Sequence, residues 1–483
     1  MEFSSLYFLY LFLPLTLLVY FLVPGLRLKN IVLLAASLLF YAMGQPVYVL
    51  LLVGLSYANF AMARRIRPGK RNTLLLPVVV NLAVLGLFKY LDFFLGIFGI
   101  TVADGGVMLA ALRSITNGLN SIGFAFRSPT SALPLGLSFY AFQVISYVAD
   151  VYRGKVKAER SFFNLLLYLS MFPKMMQGPI VRYEQVARQL MDRRTTPRAA
   201  FEGAQRFIIG LAKKVLLADY AGKVVASLST GGGNGTFVGA WLAALMFMFQ
   251  IYFDFSGYSD MAIGLGRIFG FRYCENFDLP YISTSITEFW RRWHMSLGSF
   301  FRDYVYIPLG GNRVSKTKWL RNILVVWLLT GLWHGAAWNF VLWGLFFAVF
   351  LTAEKLWYGR ALAKTRVFKH IYVLLLVVVS FVLFDANSVG EAAATIGGLF
   401  GAAGVSAVNP ISLYYLRSFA VVFLIGIVGA TPLPKRIVEQ LGSTRAGAMV
   451  VDVLEPLVLV SVLAVSTGYL VDGSFNPFLY FRF

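Results

Sequence analysis

The sequence predicts an all-α membrane protein that crosses the bilayer many times. Of its 483 residues, 58% are hydrophobic and only 13% are charged, whereas about 25% of the residues of an ordinary soluble domain are charged. So few charged residues cannot solvate a globule of this size. Long apolar runs support the same fold class, because about 20 apolar residues span a hydrocarbon core of roughly 30 Å.

The apolar runs follow one another along the whole chain. The clearest occupy residues 7–23, 31–57, 73–88, 323–350 and 373–384. With the shorter runs they predict about 11 to 13 membrane-embedded helices, some of them re-entrant or interfacial. The polar stretches between the runs are too short for a soluble domain, so we expect a single membrane domain over residues 1–483.

The net charge of +21 predicts the orientation of the chain in the membrane. In a soluble protein this charge would point to nucleic acid, but here basic residues cluster in short connections between apolar runs. Arg27 and Lys29 follow the first run, and a group of five basic residues follows the second (Arg64, Arg65, Arg67, Lys70 and Arg71). Basic loops stay in the cytoplasm, so we expect the N-terminus outside, the lipid bilayer as partner and no nucleic acid.

His334 is the first candidate for catalysis, because an ionisable side chain deep in a membrane is costly. It follows Arg321 by 13 residues in an apolar stretch, which corresponds to about 20 Å along a helix. Gly331 and Gly335 flank it and permit a close backbone approach or a local break, which is tolerated at depth only against protein or a water-filled cavity. The alternative is a histidine that hydrogen-bonds between helices.

His294 lies in a segment whose apolar residues recur at three- and four-residue spacing. They are Ile286, Phe289, Trp290, Trp293, Leu297, Phe300, Phe301 and Tyr304. This spacing predicts one amphipathic helix over residues 286–304, with His294 at the edge of its apolar face. The histidine either borders a cavity from the interfacial side or is a plain residue of an interfacial helix. The third histidine, His370, is predicted to be a loop or interface residue at the start of a span.

The sequence lacks the usual motifs of serine and zinc enzymes. It has no G-x-S-x-G and no H-E-x-x-H pattern. Its single cysteine, Cys274, excludes an internal disulfide and a cysteine-based metal cluster, and we expect no metal and no bound cofactor. A histidine can instead serve as general base, because its unperturbed pKa of about 6.5 suits neutral pH.

A series of short motifs recurs in the order in which one known family carries them. They are Phe88-Lys89-Tyr90, Leu137-Ser138-Phe139-Tyr140-Ala141-Phe142-Gln143, Phe172-Pro173, Asp254-Phe255-Ser256-Gly257-Tyr258-Ser259-Asp260, Phe289-Trp290-Arg291-Arg292-Trp293-His294, Tyr306-Ile307-Pro308-Leu309-Gly310-Gly311, Trp333-His334-Gly335 and the aromatic tail at residues 477–483. With these motifs the chain resembles the membrane-bound O-acyltransferase family. It is most similar to the members that O-acetylate alginate and, more distantly, to those that transfer D-alanine to teichoic acid.

The resemblance implies roles for two of the histidines. His334 corresponds to the signature active-site histidine of the family, and His294 to a second, more variable one. The resemblance also implies a helix bundle around a central funnel or tunnel, in which donor and acceptor meet from opposite sides. One departure is Phe384-Asp385, since members of this type often have arginine after the phenylalanine, and this difference bears on specificity.

The resulting hypothesis is an O-acyltransferase of the bacterial inner membrane. We expect it to transfer an acyl group, in the first place acetyl, from a cytoplasmic thioester such as acetyl-coenzyme A or an acyl-carrier thioester. The acceptor would be the hydroxyls of an extracytoplasmic polysaccharide or cell-wall polymer. His334 would act as general base or acyl carrier, and His294 would orient it or relay a proton.

The residues predicted to bind substrate are Arg291, Arg292, Arg313, Trp333 and Asn339. The three arginines can attract the phosphate of a donor at the cytoplasmic mouth, although the positive-inside rule explains them equally well.

Two other functions remain compatible with the sequence. A conduit that passes acyl groups across the bilayer to a separate extracytoplasmic transferase also needs a polar cavity and a buried histidine. A D-alanyl or lipid acyltransferase of the same superfamily is the second. By analogy with related bacterial systems, we expect an extracytoplasmic acetyltransferase as partner.

Overall fold

The computed structural model describes residues 2–100, 106–121, 128, 131, 133–230, 235–402, 404–472 and 478. These residues form helices and loops without a β-strand, which confirms the all-α class, and one isolated bridge pairs Thr236 with Ser406. The chain divides into two compact units, Met1–Ala204 with Ala262–Cys274 and Gln205–Met261 with Glu275–Phe483. The single domain over residues 1–483 stays a prediction.

The first unit contains the N-terminal helices. They are α1 (Leu13–Leu22), α2 (Gly25–Gly44), α3 (Pro46–Ala63), α4 (Arg71–Leu85), α5 (Leu91–Ile97), α6 (Gly106–Ser121), α7 (Leu137–Tyr152), α8 (Phe162–Ser170), α9 (Phe172–Met175) and α10 (Tyr183–Met191), with π-helical turns at Phe8–Phe12 and Gly86–Tyr90. Asn59 of α3 and Asn81 of α4 are buried and exchange two side-chain hydrogen bonds, of 3.1 and 2.7 Å. Such pairing satisfies polar groups that lipid cannot.

The second unit contains most of the C-terminal helices and both candidate histidines. After α11 (Pro197–Ala212), which crosses the unit boundary, come α12 (Asp219–Thr230), α13 (Phe237–Ile268), α14 (Ile286–Arg292), α15 (Met295–Phe301), α16 (Lys316–His334), α17 (Trp338–Ala353), α18 (Gly359–Lys364), α19 (Phe368–Asp385), α20 (Val389–Leu399), α21 (Pro410–Ser418), α22 (Ala420–Gly429), α23 (Leu433–Leu441) and α24 (Arg445–Val471), with π-helical turns at Lys213–Ala218, Arg302–Tyr306 and Glu354–Tyr358 and a 3₁₀ turn at Pro280–Ile282. Residues 262–268, at the end of α13, belong to the first unit.

Seven helices of the described part of the chain are long and apolar enough to cross a membrane. They are Gly25–Gly44, Pro46–Ala63, Arg71–Ile97, Phe237–Ile268, Trp338–Lys364, Phe368–Asp385 and Arg445–Val471. An eighth is possible if α21 and α22, bent by 53° against each other, act as one span. The predicted 11 to 13 also counted segments short enough to be re-entrant. The first apolar run, residues 7–23, is predicted as a span, but its helix Phe8–Leu22 is apolar and too short for this set.

The outer faces of the long helices are apolar. Along α24, Val453 is 64% exposed, Leu457 60% and Val460 65%. In water such a surface would be unfavourable, but a lipid tail solvates it as well as a protein core does. The protein is therefore a multi-pass membrane protein, as its composition predicts.

α16 and α17 form the hairpin that carries His334. Their backbones touch at Gly331 and Gly344, whose Cα atoms leave no room for a side chain. A Cβ on Gly331 would lie 2.3 Å from the Phe340 carbonyl oxygen, and one on Gly344 would lie 2.3 Å from that of Trp327. α16 ends at His334 because Gly335 is extended. Both predicted roles of the flanking glycines, close approach and a local break, are confirmed.

Asn339, in the first turn of α17, ties this hairpin to the end of α19. Its side-chain amide donates to the carbonyl oxygens of Phe384 and Ala386, at 3.3 and 2.9 Å. The last carbonyls of a helix have no partner within the helix, and at membrane depth another protein group has to satisfy them. Asn339 thereby fixes Phe384 beside His334.

Candidate active site

His334 lies in an aromatic enclosure within the second unit. It is 3% exposed, and its ring centre is 4.9 Å from that of Trp333, 4.9 Å from that of Trp343 and 5.2 Å from that of Phe384. These rings come from α16, α17 and α19. The enclosure excludes bulk water, and electrostatic interactions are stronger in such a dry site.

His294 does not lie on one continuous helix, so the helix predicted over residues 286–304 is wrong. α14 ends at Arg292 and α15 begins at Met295. Between them His294 has φ 44° and ψ 53°, the left-handed conformation, which is uncommon outside glycine. The imidazole is 1% exposed, so it is a buried group and not a surface residue of an interfacial helix.

Hydrogen bonds to a distant loop stabilise this break. The backbone N–H of Met295 donates to the carbonyl oxygen of Asn276 at 2.9 Å, and the N–H of Asp278 donates to that of Arg292 at the same distance. The apolar spacing continues through the break, and for that reason periodicity alone could not reveal it.

Nδ1 of the His294 ring lies 3.0 Å from Oδ1 of Asn276. The other ring nitrogen, Nε2, is buried and has no hydrogen-bond partner among the described residues. Burial lowers the pKa of His294 to about 3, because desolvation disfavours the charged imidazolium. His294 is therefore neutral at physiological pH.

Trp333 brings the two histidines into one site. Its ring centre lies 5.7 Å from that of His294 and 4.9 Å from that of His334. Phe255, from α13, packs edge-on against His294 at 4.7 Å. His370 is elsewhere, in the first turn of α19, as its position at the start of a span predicts.

A cavity of about 520 Å³ is lined by chain neighbours of both histidines, although neither imidazole is in its wall. Its lining includes Met295, which follows His294, and Thr330, one helical turn before His334. Arg291 and Arg302 also line it. The indole N–H of Trp290 is buried in its wall and has no acceptor among the described residues.

The three predicted donor-binding arginines are in different situations. Arg291 lines the cavity of about 520 Å³. Arg292 is instead engaged in ion pairs with Asp278 and Glu288, both at 3.0 Å. Arg313 is exposed on the loop before α16 and does not line this cavity.

A second cavity, of about 400 Å³, lies near the C-terminal end of α19. Small residues such as Ala240, Ala394 and Gly398 line much of it, together with the acidic residues Asp385 and Glu391. Asp385 directly follows Phe384, the residue whose ring contacts His334. The departure noted in the sequence, aspartate after this phenylalanine, thus falls on the wall of a cavity.

A buried ion-pair cluster lies in the same unit. The Lys214 ammonium is 2.6 Å from a carboxylate oxygen of Asp219 and 2.8 Å from one of Asp254, and the three side chains are 1%, 7% and 2% exposed. Buried charges of this kind need partners. Burial alone would lower the pKa of Lys214, but the two carboxylates outweigh it and raise the pKa, so we assign the lysine its charged form.

Several residues of this site have no signal in the sequence. Asn276 and Trp290 lie in segments that predict only a loop and an apolar helix face, and their roles come from contacts with distant parts of the chain.

In the described part of the chain, no three His, Cys, Asp or Glu side chains are grouped so that they could hold a metal ion.

The fold and the site together define a multi-pass membrane protein with two buried histidines that both pack against Trp333. Residues 155–389 match the sequence model of the membrane-bound O-acyltransferase family. The chain belongs to this family and is an O-acyltransferase, a conclusion that the full-length relatives below support.

Proteins from three bacteria illustrate the similarity. The probable alginate O-acetylase of Azotobacter vinelandii is 38% identical over an alignment of 517 positions, which covers 100% of both chains. The peptidoglycan O-acetyltransferase of Helicobacter pylori is 33% identical over 84% of this chain and 80% of its own. The teichoic acid D-alanyltransferase of Bacillus subtilis is 30% identical over 45% of this chain and 58% of its own.

Proposed function

We propose that the protein transfers acetyl groups from a cytoplasmic thioester to hydroxyls of an extracytoplasmic polysaccharide or cell-wall polymer, in the bacterial inner membrane. Two buried histidines that share Trp333 as a neighbour, at 5.7 and 4.9 Å between ring centres, carry the proposal. The names of the relatives support acetyl as the group and a polymer as the acceptor, since two of them are O-acetylating enzymes of alginate and peptidoglycan.

In the proposed step, His334 is the general base. The oxygen of an acceptor hydroxyl attacks the carbonyl carbon of the thioester and forms the ester bond, while its proton passes to the imidazole. The carbon–sulfur bond breaks, and the leaving thiolate takes up that proton, so that His334 is neutral again. A positioned base of this kind contributes about 10²- to 10⁴-fold in rate.

The donor is proposed to bind in the cavity of about 520 Å³. α16, which lines it, begins with Lys316 and Lys318, and basic ends of helices face the cytoplasm. Arg291 at this cavity provides a cation for a phosphate group of the donor. Arg302 also lines the cavity but already pairs with Asp303 at 2.7 Å. The buried N–H of Trp290 can donate to a carbonyl oxygen of the donor. Arg292 is not part of this proposal, because two carboxylates already engage it.

The acceptor is proposed to approach through the cavity of about 400 Å³. α19 starts after the basic segment 360–369, so its C-terminal end with Asp385 faces the outside. The carboxylates of Asp385 and Glu391 can accept hydrogen bonds from sugar hydroxyls. The acceptor is either the polymer itself or an extracytoplasmic acetyltransferase that passes the acetyl group on to it.

The experiment compares the O-acetyl content of the cell's polymers in strains with wild-type protein, His334→Ala and His294→Ala at matched membrane protein levels. We expect His334→Ala to lower O-acetylation at least about 100-fold. His370→Ala is the matched control, since this histidine lies outside the site. If the His334→Ala strain keeps its O-acetylation, the base assigned to the reaction is wrong.

A second measurement separates the enzyme from a conduit. Purified protein is incubated with acetyl-coenzyme A labelled in its acetyl group, without any partner. Acetyl-histidine on the protein, or hydrolysis of the thioester, supports the enzyme if His334→Ala abolishes it. Acetyl-histidine would in addition support the role of His334 as acyl carrier. The absence of both with folded wild-type protein excludes the acyl-carrier route and is the result expected for the conduit and for direct transfer without an acceptor.

A further inference from the structure

Asn276 is the centre of a buried hydrogen-bond network around His294. The exposed fractions of Asn276, Ser259, His294 and Ser296 lie between 0% and 4%. Asn276 Oδ1 lies 3.0 Å from His294 Nδ1, and it accepts from the Ser296 hydroxyl at 2.9 Å and from the Ser296 backbone N–H at 3.4 Å. Its Nδ2 donates to the Ser259 hydroxyl at 3.0 Å.

The backbone N–H of Ser296 fixes which way the Asn276 amide faces. Oxygen and nitrogen of an amide side chain are assigned from their partners. A backbone N–H can only donate, so the atom that faces it has to be the oxygen. The reverse orientation would place the NH₂ group against this donor and would also lose the donation to Ser259.

With Oδ1 facing His294, the tautomer of the neutral imidazole follows. A carbonyl oxygen only accepts, so Nδ1 has to carry the proton. In a neutral imidazole the other nitrogen is then an acceptor. That nitrogen, Nε2, is the buried atom that has no partner among the described residues.

We propose that Asn276 is a positioning residue, which holds His294 in the Nδ1-protonated tautomer so that Nε2 accepts a hydrogen bond from a substrate during acyl transfer. This inference rests on the proposed function for the identity of the substrate groups, a hydroxyl or a thiol, but not for the tautomer. His294 has a left-handed backbone, and the next residue, Met295, donates its backbone N–H to the carbonyl oxygen of Asn276. Together these features hold the imidazole beside the Asn276 side chain.

The alternative, that Asn276 only supports the loop, makes a different prediction. A purely structural residue would affect stability and leave the protonation of the ring unchanged. The tautomer is therefore the property to measure. The chain is well suited to this, because it has only three histidines.

The experiment is nitrogen-15 NMR of the full-length protein in detergent, labelled only at histidine. Protonated and unprotonated imidazole nitrogens give well-separated signals, and His294→Asn identifies those of His294. We expect a protonated Nδ1 and an unprotonated Nε2 in the wild type and in Asn276→Asp, whose carboxylate also accepts from Nδ1. In Asn276→Leu the ring is expected to lose this preference.

The activity of the same variants completes the test. We expect Asn276→Leu to lower O-acetylation about 100-fold, the lower end of what a positioned proton acceptor contributes, and Asn276→Asp to retain more of it. Asn322→Leu is the matched control: Asn322 is also fully buried, but its amide donates to the carbonyls of Leu309 and Gly311. This control is expected to leave the His294 tautomer unchanged.

Two results would overturn the inference. One is a wild-type His294 whose Nδ1 is unprotonated, and this result does not depend on any variant folding. The other is an Asn276→Leu protein that is folded and keeps the wild-type tautomer. If His334→Ala retains O-acetylation while the tautomer is as expected, the proposed function fails and the role of Asn276 in positioning the ring stands.

Discussion

The buried imidazole of His294 links stability to pH. Its pKa is about 3 in the folded protein and about 6.5 when exposed. Between these values the unfolded chain binds a proton that the folded one does not. The contribution of the neutral His294 to the free energy of unfolding is therefore fully present above about pH 6.5 and is lost as the pH falls towards 3. At pH 5 the free energy of unfolding is lower by about 2 kcal/mol.

His294→Asn is the variant that checks this prediction, because it removes the titrating group and asparagine also tolerates a left-handed backbone. Thermal unfolding in detergent at pH 7 and pH 5 gives the drop in Tm for each protein. We expect a larger drop in the wild type than in His294→Asn. Equal drops would mean that His294 accepts a proton inside the folded protein.

At the level of single residues, the sequence predicted the histidines but not their partners. The depth of His334 follows from counting residues along an apolar run, and the structure places this side chain among buried aromatic rings. Asn276 gave no such signal, because its side-chain oxygen contacts residues 18 and 20 positions later and its NH₂ group donates to a residue 17 positions earlier. Only the folded backbone of the loop brings them together.

At the level of elements, the contact between α16 and α17 controls the position of His334. We expect Gly344→Ala to destabilise the protein by about 1–3 kcal/mol, the usual cost of overpacking, because the new Cβ would meet the Trp327 carbonyl at 2.3 Å. Tm in detergent and O-acetyl content measure the effect. A backbone atom cannot rotate away, so the helices have to separate.

Gly54→Ala is the control for that substitution. Gly54 lies within α3, and a Cβ there meets no atom within 4 Å. Alanine has a better helix propensity than glycine, so the control is expected to be neutral or slightly stabilising. If both alanine variants behave alike, close packing at Gly344 is not what holds the hairpin together.

The segment 286–304 shows where element prediction from sequence stops. Its apolar spacing fits one helix, and the two helices α14 and α15 do occupy most of it. The break at His294 comes from hydrogen bonds with residues 276 and 278. Long apolar spans were easier to predict, because lipid forces each one to satisfy its own backbone.

At the level of the whole molecule, the distribution of basic loops predicts the topology. Cys274→Ala gives a cysteine-free chain, since Cys274 is the single cysteine. A cysteine in a short N-terminal tag is expected to react with a membrane-impermeant maleimide in intact spheroplasts, and Lys70→Cys only after permeabilisation. The opposite pattern would reverse the two sides assigned to donor and acceptor.

The left-handed backbone at His294 also restricts what evolution or a mutant library can place there. Only glycine, asparagine, aspartate and histidine adopt this conformation with little strain. A saturation library that is selected only for folded protein should therefore contain mainly these four residues at position 294, even without a selection for activity. The backbone thus limits the chemistry available at this point of the site to an imidazole, an amide, a carboxylate or no side chain at all.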